Sequence, residues 1–110
     1  MMPVKVCGIT SYKDAQLAIK FGASALGFIF YKGSERYVSP SSLYWLNSLS
    51  NDVKRVGVFV NEKVNMVNSI SEDLRLDYVQ LHGNESAQYC SQIFKPIIKA
   101  IHVNKDVDNL

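Results

Sequence analysis

The sequence predicts an α/β fold in which a single parallel sheet is built from strands that alternate with helices. Short apolar runs of strand length alternate with segments of helical periodicity along the chain. Polar residues within the strands all fall on one side of the period-two alternation, so they share one face of the sheet. Helices cover both faces of an open parallel sheet and would bury these polar groups at a cost in free energy. The pattern therefore favours a barrel over an open sheet. The chain has 110 residues, whereas a compact eight-fold α/β barrel needs roughly 200. We therefore expect a barrel-like sheet that lacks the chain length to close.

The first predicted strand–helix unit begins almost at the N-terminus. Val4 to Cys7 reads as a short buried strand, and Gly8 allows the chain to turn sharply after it. Ser11 and Asp14 have the spacing of a capping box, which predicts that a helix starts there and ends at Gly22. The residues on one face of this helix are Ala15, Ala18, Ile19 and Gly22.

The second predicted unit contains the longest polar loop. Ala25 to Phe30 is an apolar strand, and residues Tyr31 to Val38 form the loop that follows it. Ser39 and Pro40 are suited to the N-cap and the first helical position. The helix is predicted from the spacing of Leu43, Leu46 and Leu49.

The same pattern repeats through the rest of the chain. Arg55 to Val60 is a valine-rich strand, and Asn61 is expected to be the N-cap of the next helix and not a ligand-binding residue. Tyr78 to His82 is the fourth strand, Glu85 to Phe94 the fourth helix, and Ile97 to Val103 the fifth strand. The third helix has an apolar stripe of Val64, Val67, Ile70 and Leu74. Such an order implies right-handed crossovers between parallel strands.

Period-two alternation assigns the strand residues to two faces. Lys5 and Cys7 share one face of the first strand, Gln80 and His82 share that face in the fourth, and Lys99 is a candidate for it in the fifth. The alternate positions are expected to face the helices; they are Val4, Val6, Val79, Leu81, Ile98 and Ala100.

Composition excludes several classes of function. The net charge of +2 is spread without a Lys/Arg block, so we expect no binding of nucleic acid or of an anionic membrane. The N-terminus lacks the apolar region of a signal peptide and no run reaches spanning length, so a cytoplasmic protein with a small-molecule or protein partner is expected. Cys7 and Cys90 form no C-x-x-C pair, which predicts two free thiols and no metal site.

Candidate functional residues lie just after strands, where the loops of a (β/α) barrel house catalysis. Cys7 follows the first strand, Arg36 lies in the loop after the second, and His82 ends the fourth. Each has a plainer interpretation: a buried small hydrophobe for Cys7, a solvated charge cluster for Arg36, and a hydrogen-bonded strand-end residue for His82. Cys90 is expected to be a core residue because it lies at helical spacing with apolar neighbours.

Five sequence motifs carry a family resemblance. They are Lys5-Val6-Cys7-Gly8-Ile9-Thr10, Gly22-Ala23 through Gly27-Phe28-Ile29-Phe30-Tyr31, Ser34-x-Arg36-Tyr37-Val38-Ser39-Pro40, Val56-Gly57-Val58-Phe59-Val60-Asn61 and Val79-Gln80-Leu81-His82-Gly83. Together, and in this order, they resemble the phosphoribosylanthranilate isomerase family, whose members are (β/α)8 TIM barrels. The resemblance runs from Lys5 to about Val103 and implies that residues 1–110 form a partial barrel domain, about five strands and four helices, that is, strands 1–5 of 8. Lys32 departs from the family, which usually has proline there.

The resemblance implies an activity and roles for particular residues. The family catalyses, without a cofactor, the Amadori rearrangement of N-(5-phosphoribosyl)anthranilate to 1-(2-carboxyphenylamino)-1-deoxyribulose 5-phosphate in tryptophan biosynthesis. By similarity Cys7 is the catalytic general base and Arg36 binds the anthranilate carboxylate. Gln80 and His82 are expected to line the substrate site. Only a thiolate accepts a proton, a nearby cation favours the thiolate, and Lys5 shares the face of Cys7.

The family's remaining catalytic parts have no counterpart in the sequence. Its general acid is an aspartate on the sixth strand, and its phosphate site follows the seventh and eighth. We therefore expect the 110-residue chain alone to be inactive or nearly so. Two alternatives remain open: a non-catalytic half-barrel that pairs with itself or with a complementary half, and a complete flavodoxin-like domain. The second requires strand order 2-1-3-4-5, so the sheet topology decides it.

Overall fold

The computed structural model describes residues 3–99 and contains, within that range, one parallel sheet with helices packed on it. The strands are β1 (Lys5–Cys7), β2 (Ala25–Ile29), β3 (Lys54–Phe59), β4 (Tyr78–Leu81) and β5 (Ile97–Lys99). The helices are α1 (Tyr12–Lys20), a 3₁₀ helix (Pro40–Ser48), α2 (Val64–Asp73) and α3 (Ala87–Cys90). The predicted alternation of strands and helices is confirmed for these residues.

The strands are hydrogen-bonded in the order β1-β2-β3-β4-β5, and every neighbouring pair is parallel. This order excludes the flavodoxin-like alternative, in which β1 would lie between β2 and β3. The sheet is also curled. Lys5 of β1 donates a hydrogen bond to Gln80 of β4, although three strand spacings of about 4.8 Å would separate these strands by roughly 14 Å in a flat sheet. Because strand side chains stand nearly perpendicular to the sheet, they meet only across a concave surface. The observed topology is that of an arc of a barrel.

The predicted first helix is confirmed at both ends. The Ser11 hydroxyl accepts a hydrogen bond of 3.1 Å from the amide of Asp14, as an N-cap does. Gly22, with φ of +99°, follows the last turn in the left-handed conformation that glycine adopts without steric cost. The chain therefore leaves α1 abruptly and enters β2 within three residues.

The second helix starts where predicted but is of a different type. Pro40 begins it after Ser39, yet the helix is 3₁₀ and is kinked at Leu43 (φ −96°, ψ 29°). The reason lies in the spacing of the apolar residues. Leu43, Leu46 and Leu49 are all buried and lie three residues apart, which matches three residues per turn in a 3₁₀ helix better than 3.6 in an α-helix.

Two helix predictions are wrong in detail. α2 begins at Val64 with Lys63 at the N-cap position, so Asn61 is not the N-cap; it adopts a left-handed conformation with φ of 51°. α3 spans only Ala87–Cys90, where the sequence predicted a helix from Glu85 to Phe94, and its N-cap is Ser86. The fifth strand is observed over Ile97–Lys99, and residues 100–103 of its predicted extent lie outside the described residues.

The sheet has one apolar face against the helices and one concave face. The helix-side core is built on Leu26, Phe28, Phe59, Val79 and Leu81, all fully buried. The register pairs Leu81 with Lys99 and Gln80 with Ile98. Lys99 therefore lies on the helix side and Ile98 on the concave side, so both of these predicted orientations are wrong.

Candidate active site

Cys7 is the last residue of β1 and is exposed. Its register partner on β2 is Gly27, and a side chain there would collide with it: an added Cβ would lie 2.9 Å from the Cys7 sulfur and 3.2 Å from its Cα. The thiol therefore lies over bare backbone. An isolated glycine within a strand often marks such a close approach, and this signal for Gly27 was present in the sequence.

Arg36 is brought next to Cys7 by the loop that follows β2. The loop is tightened by hydrogen bonds from the amide of Ser34 to the carbonyl of Tyr31 (3.0 Å) and from the amide of Arg36 to the Ser34 hydroxyl (3.1 Å). The Arg36 side chain crosses over Gly8, whose hypothetical Cβ would lie 2.6 Å from Arg36 Cδ. Gly8 has φ of +86°. Both the backbone conformation and the close contact thus require glycine at this position.

Cys7 and Arg36 line a common groove of about 410 Å³ along β1. Its other wall is apolar and comes from the segment just before β1 and from α1 with its C-cap. Val4, Leu17 and Phe21 line it and remain 50%, 51% and 80% exposed, respectively. The groove therefore joins an exposed thiol and a guanidinium to an uncovered apolar edge of the sheet.

Gln80 and His82 lie on the same face of the sheet as Cys7, as predicted. Gln80 Nε2 lies 2.6 Å from His82 Nε2, and Gln80 Oε1 accepts a hydrogen bond from Lys5 Nζ. The His82 backbone amide donates to the carbonyl of Phe59 (3.0 Å), which continues the β3–β4 pairing by one residue. The Lys5 ammonium is thus directed across the concave face to β4.

A second polar cluster, which the sequence did not predict, ties the loops after β3 and β4 to β5. The Glu85 carboxylate, with only 1% of its side chain exposed, accepts hydrogen bonds from the Asn61 amide (2.8 Å), the Gly83 amide (3.3 Å) and Lys99 Nζ (2.7 Å). Asn61 Oδ1 accepts from the Asn84 amide (2.8 Å). The left-handed conformation of Asn61 therefore serves this junction and not a helix start.

Burial and neighbouring charges shift the pKa values of two groups in this cluster. Burial raises the pKa of the Glu85 carboxyl, but the hydrogen bonds from Lys99 and from backbone amides outweigh it, so its pKa lies below the usual 4.5. Burial together with the negative charges of Glu85 and Glu62 raises the pKa of Tyr89 to about 12. The Tyr89 hydroxyl therefore remains a donor, and it donates to the Glu62 carbonyl at 2.6 Å.

Both cysteines are free; Cys90 is half-buried and packs against the helix-side core, as expected. Within residues 3–99 no group of three or more His, Cys, Asp and Glu side chains is arranged to hold a metal ion. In the same range no helix has both the length and the apolar content needed to cross a bilayer.

Comparison with known proteins points to one family. The model of the N-(5'-phosphoribosyl)anthranilate (PRA) isomerase family matches residues 4–110. The N-(5'-phosphoribosyl)anthranilate isomerase of Trichlorobacter lovleyi is 47% identical over 104 residues, which cover 94% of this chain and 51% of that protein. The enzyme of Thermotoga neapolitana is 43% identical over 111 residues, covering 98% of this chain and 54% of that protein.

Solved structures agree with the sequence comparison. The phosphoribosyl anthranilate isomerase of Thermotoga maritima superposes with a TM-score of 0.92 at 40% identity, covering 99% of this chain and 55% of that chain. An isomerase structure in complex with reduced 1-(o-carboxyphenylamino)-1-deoxyribulose 5-phosphate superposes with a TM-score of 0.88 at 39% identity, covering 99% of this chain and 58% of that chain. The chain therefore spans about half the length of the curated relatives it matches.

Proposed function

The chain belongs to the N-(5'-phosphoribosyl)anthranilate isomerase family, and we propose that it supplies the N-terminal half of an enzyme that converts N-(5'-phosphoribosyl)anthranilate into the corresponding aminoketose. The observation that carries this proposal is the placement of Arg36 across Gly8, beside Cys7, at the carboxyl ends of the first two strands. A base and a carboxylate-binding cation are then side by side at the end of the sheet where parallel α/β enzymes hold their substrates.

The reaction assigns a specific step to Cys7. Ring opening leaves the substrate as a Schiff base that keeps the proton on its nitrogen, and the Cys7 thiolate removes the proton from C2 of the sugar. The C2–H electron pair forms the C1–C2 double bond, and the C=N electron pair moves to the nitrogen, which gives an enolamine that tautomerises to the ketone. Cys7 is suited to this step because it is exposed at a strand end, where substrate can reach the sulfur.

Arg36 is proposed to bind the anthranilate carboxylate. A planar guanidinium forms two parallel hydrogen bonds with a carboxylate, which a lysine ammonium cannot do. A relative of known structure is complexed with a molecule that carries both a carboxyphenyl group and a sugar phosphate, and this supports a carboxylate subsite. Gln80 and His82 complete the proposed substrate surface from β4. Because a thiolate base must stay reduced, we place the activity in the cytoplasm.

Catalysis is proposed to require a complementary half. The chain matches only about half of each relative, and β1 and β5 form the two edges of the described sheet. Unpaired strand edges favour further strand addition. We propose that a C-terminal half pairs with these edges, covers the apolar groove at Val4, Leu17 and Phe21, and supplies the general acid and the phosphate site. The 110-residue chain alone is then inactive or nearly so, because loss of a general acid commonly costs about 10²–10⁴-fold in rate.

A complementation assay tests the proposal. The 110-residue chain is assayed for loss of substrate fluorescence alone and after mixing with the C-terminal half of the Thermotoga maritima enzyme. Turnover is expected only in the mixture, and Cys7→Ala is expected to abolish it. Cys90→Ala is the matched control and is expected to retain activity, since Cys90 packs against the core. Full turnover by the unmixed chain, or by the Cys7→Ala mixture, contradicts the proposal. Light scattering on the unmixed chain distinguishes self-association from pairing with the other half.

A further inference from the structure

A chain of three polar side chains crosses the concave face of the sheet. Lys5 Nζ on β1 contacts Gln80 Oε1 on β4, and Gln80 Nε2 lies 2.6 Å from the Nε2 atom of His82. Lys5, Gln80 and His82 all lie on the face that carries Cys7, with Lys5 two residues before Cys7 on the same strand.

The hydrogen-bonding capacity of each group fixes the protons along this chain. A lysine ammonium has three donors and no acceptor, so the Gln80 atom facing Lys5 must be the amide oxygen. The Gln80 amide nitrogen, which only donates, must then face His82. A donor at 2.6 Å requires an acceptor, so this arrangement calls for a His82 Nε2 atom without a proton. The reverse orientation of the Gln80 amide would place two donors against each other at Lys5.

We propose that Lys5 is a positioning residue that, through Gln80, holds His82 as the neutral tautomer with its proton on Nδ1. The single basic nitrogen of that imidazole then accepts the hydrogen bond from Gln80, so the ring has no second lone pair with which to accept a proton. This deepens the proposed function, on which its catalytic meaning rests: the proton-accepting role at this face falls to Cys7. The tautomer itself is a property of the three side chains and is measured without an activity assay.

Nitrogen-15 NMR of the 110-residue chain labelled at histidine reads the tautomer directly. The sequence has two histidines, His82 and His102, and a His102→Gln variant assigns the signals. In neutral or mildly basic solution His82 is expected to show a pyridine-type Nε2 and a pyrrole-type Nδ1. This is the reverse of the tautomer that isolated imidazole side chains prefer in water. A pyrrole-type Nε2 in the wild-type chain overturns the proposal.

Two variants test the relay. Gln80→Glu places an acceptor-only carboxylate against His82 Nε2 and is expected to put a proton on Nε2, so that the pyridine-type Nε2 signal is lost. Lys5→Met removes the donor that orients the amide and is expected to give a mixture of tautomers. Lys20→Met is the matched control, because Lys20 is an exposed residue of α1 and is expected to leave the signals unchanged.

The outcomes are separable from those of the proposed function. An unchanged tautomer in Gln80→Glu contradicts the relay, even if the complemented enzyme is fully active. If Lys5→Met fails to fold, the wild-type spectrum and Gln80→Glu still decide the proposal. A complemented protein without isomerase activity contradicts the proposed function and leaves the assigned tautomer intact.

Discussion

Replacing Gly27 with alanine tests whether the bare backbone of β2 sets the position of the Cys7 thiol. The added methyl carbon would lie 2.9 Å from the sulfur, 3.2 Å from Cα and 3.3 Å from Cβ of Cys7. All three distances are shorter than the roughly 3.5–4.0 Å of an optimal carbon–carbon separation. Overpacking of this kind costs about 1–3 kcal/mol. The overlap with the sulfur is absent when residue 7 is alanine, whereas the overlap with Cα and Cβ of residue 7 remains and is relieved only by a shift of β1 against β2.

A double-mutant cycle measures how much of the destabilisation comes from the overlap with the sulfur. Urea unfolding of the wild type, Gly27→Ala, Cys7→Ala and the double variant measures the free energy of coupling between the two sites. We expect Gly27→Ala to lose about 1–3 kcal/mol and the loss to be smaller by about 1 kcal/mol when the sulfur is absent, since the added methyl group then overlaps only the backbone and the first side-chain carbon of residue 7. Additivity within about 0.5 kcal/mol would refute the reasoning. Gly22→Ala is the control: its positive φ costs about 1–2 kcal/mol, but nothing lies within 4 Å of its added Cβ, so it should not couple to Cys7.

Three further predictions concern the other contacts. Glu85→Gln is expected to lower the unfolding free energy by about 1–3 kcal/mol near neutral pH. Because the folded pKa of Glu85 lies below 4.5, the stability that the carboxylate contributes is fully present above about pH 4.5 and is lost as the pH falls through the folded pKa. The urea midpoints of wild type and variant should therefore converge in acid. Ser11→Ala should cost about 1 kcal/mol in the same assay through loss of the α1 cap, and an unchanged midpoint would contradict the capping hydrogen bond. Arg36→Met should raise KM of the complemented enzyme by about tenfold or more through loss of a charged hydrogen bond, with equal KM values counting against the carboxylate subsite.

The fold was largely predictable because the signals that encode it are local. The alternation of strands and helices, the Ser11 cap and the Gly22 stop follow from periodicity and from the conformational freedom of glycine, and each was confirmed. The order of the strands was harder to predict from the sequence, because the same alternation of strands and helices fits both an arc of a barrel and an open sheet. Polar residues at one parity favoured the arc, and the Lys5–Gln80 hydrogen bond across it gives the physical reason.

The errors have specific causes. The face assigned to Lys99 depends on strand register, and a one-residue difference moves a side chain to the opposite face. The environment of Asn61 depends on Glu85 and Asn84, which are more than twenty residues away in sequence, so local capping preference could not predict it. Cys7 and Arg36 were expected at the same end of the sheet because each follows a strand, whereas the close approach of Arg36 to Gly8 depends on the path of the loop in three dimensions.

The two faces of the sheet have different roles in this chain: the helix side stabilises the fold, and the concave side carries the candidate site. The helix-side core around Leu26, Phe28 and Leu81 is formed by elements within residues 3–99, so the strands can be ordered without a second half. The concave face and the β1 edge carry Cys7, the Lys5–Gln80–His82 relay and the exposed apolar groove. Because the relay joins β1 to β4, it also favours the curved form of the sheet to which a C-terminal half would have to pair. Substitutions on the helix side should therefore lower stability, whereas Cys7→Ala should leave the fold intact and remove only the chemistry of the completed barrel.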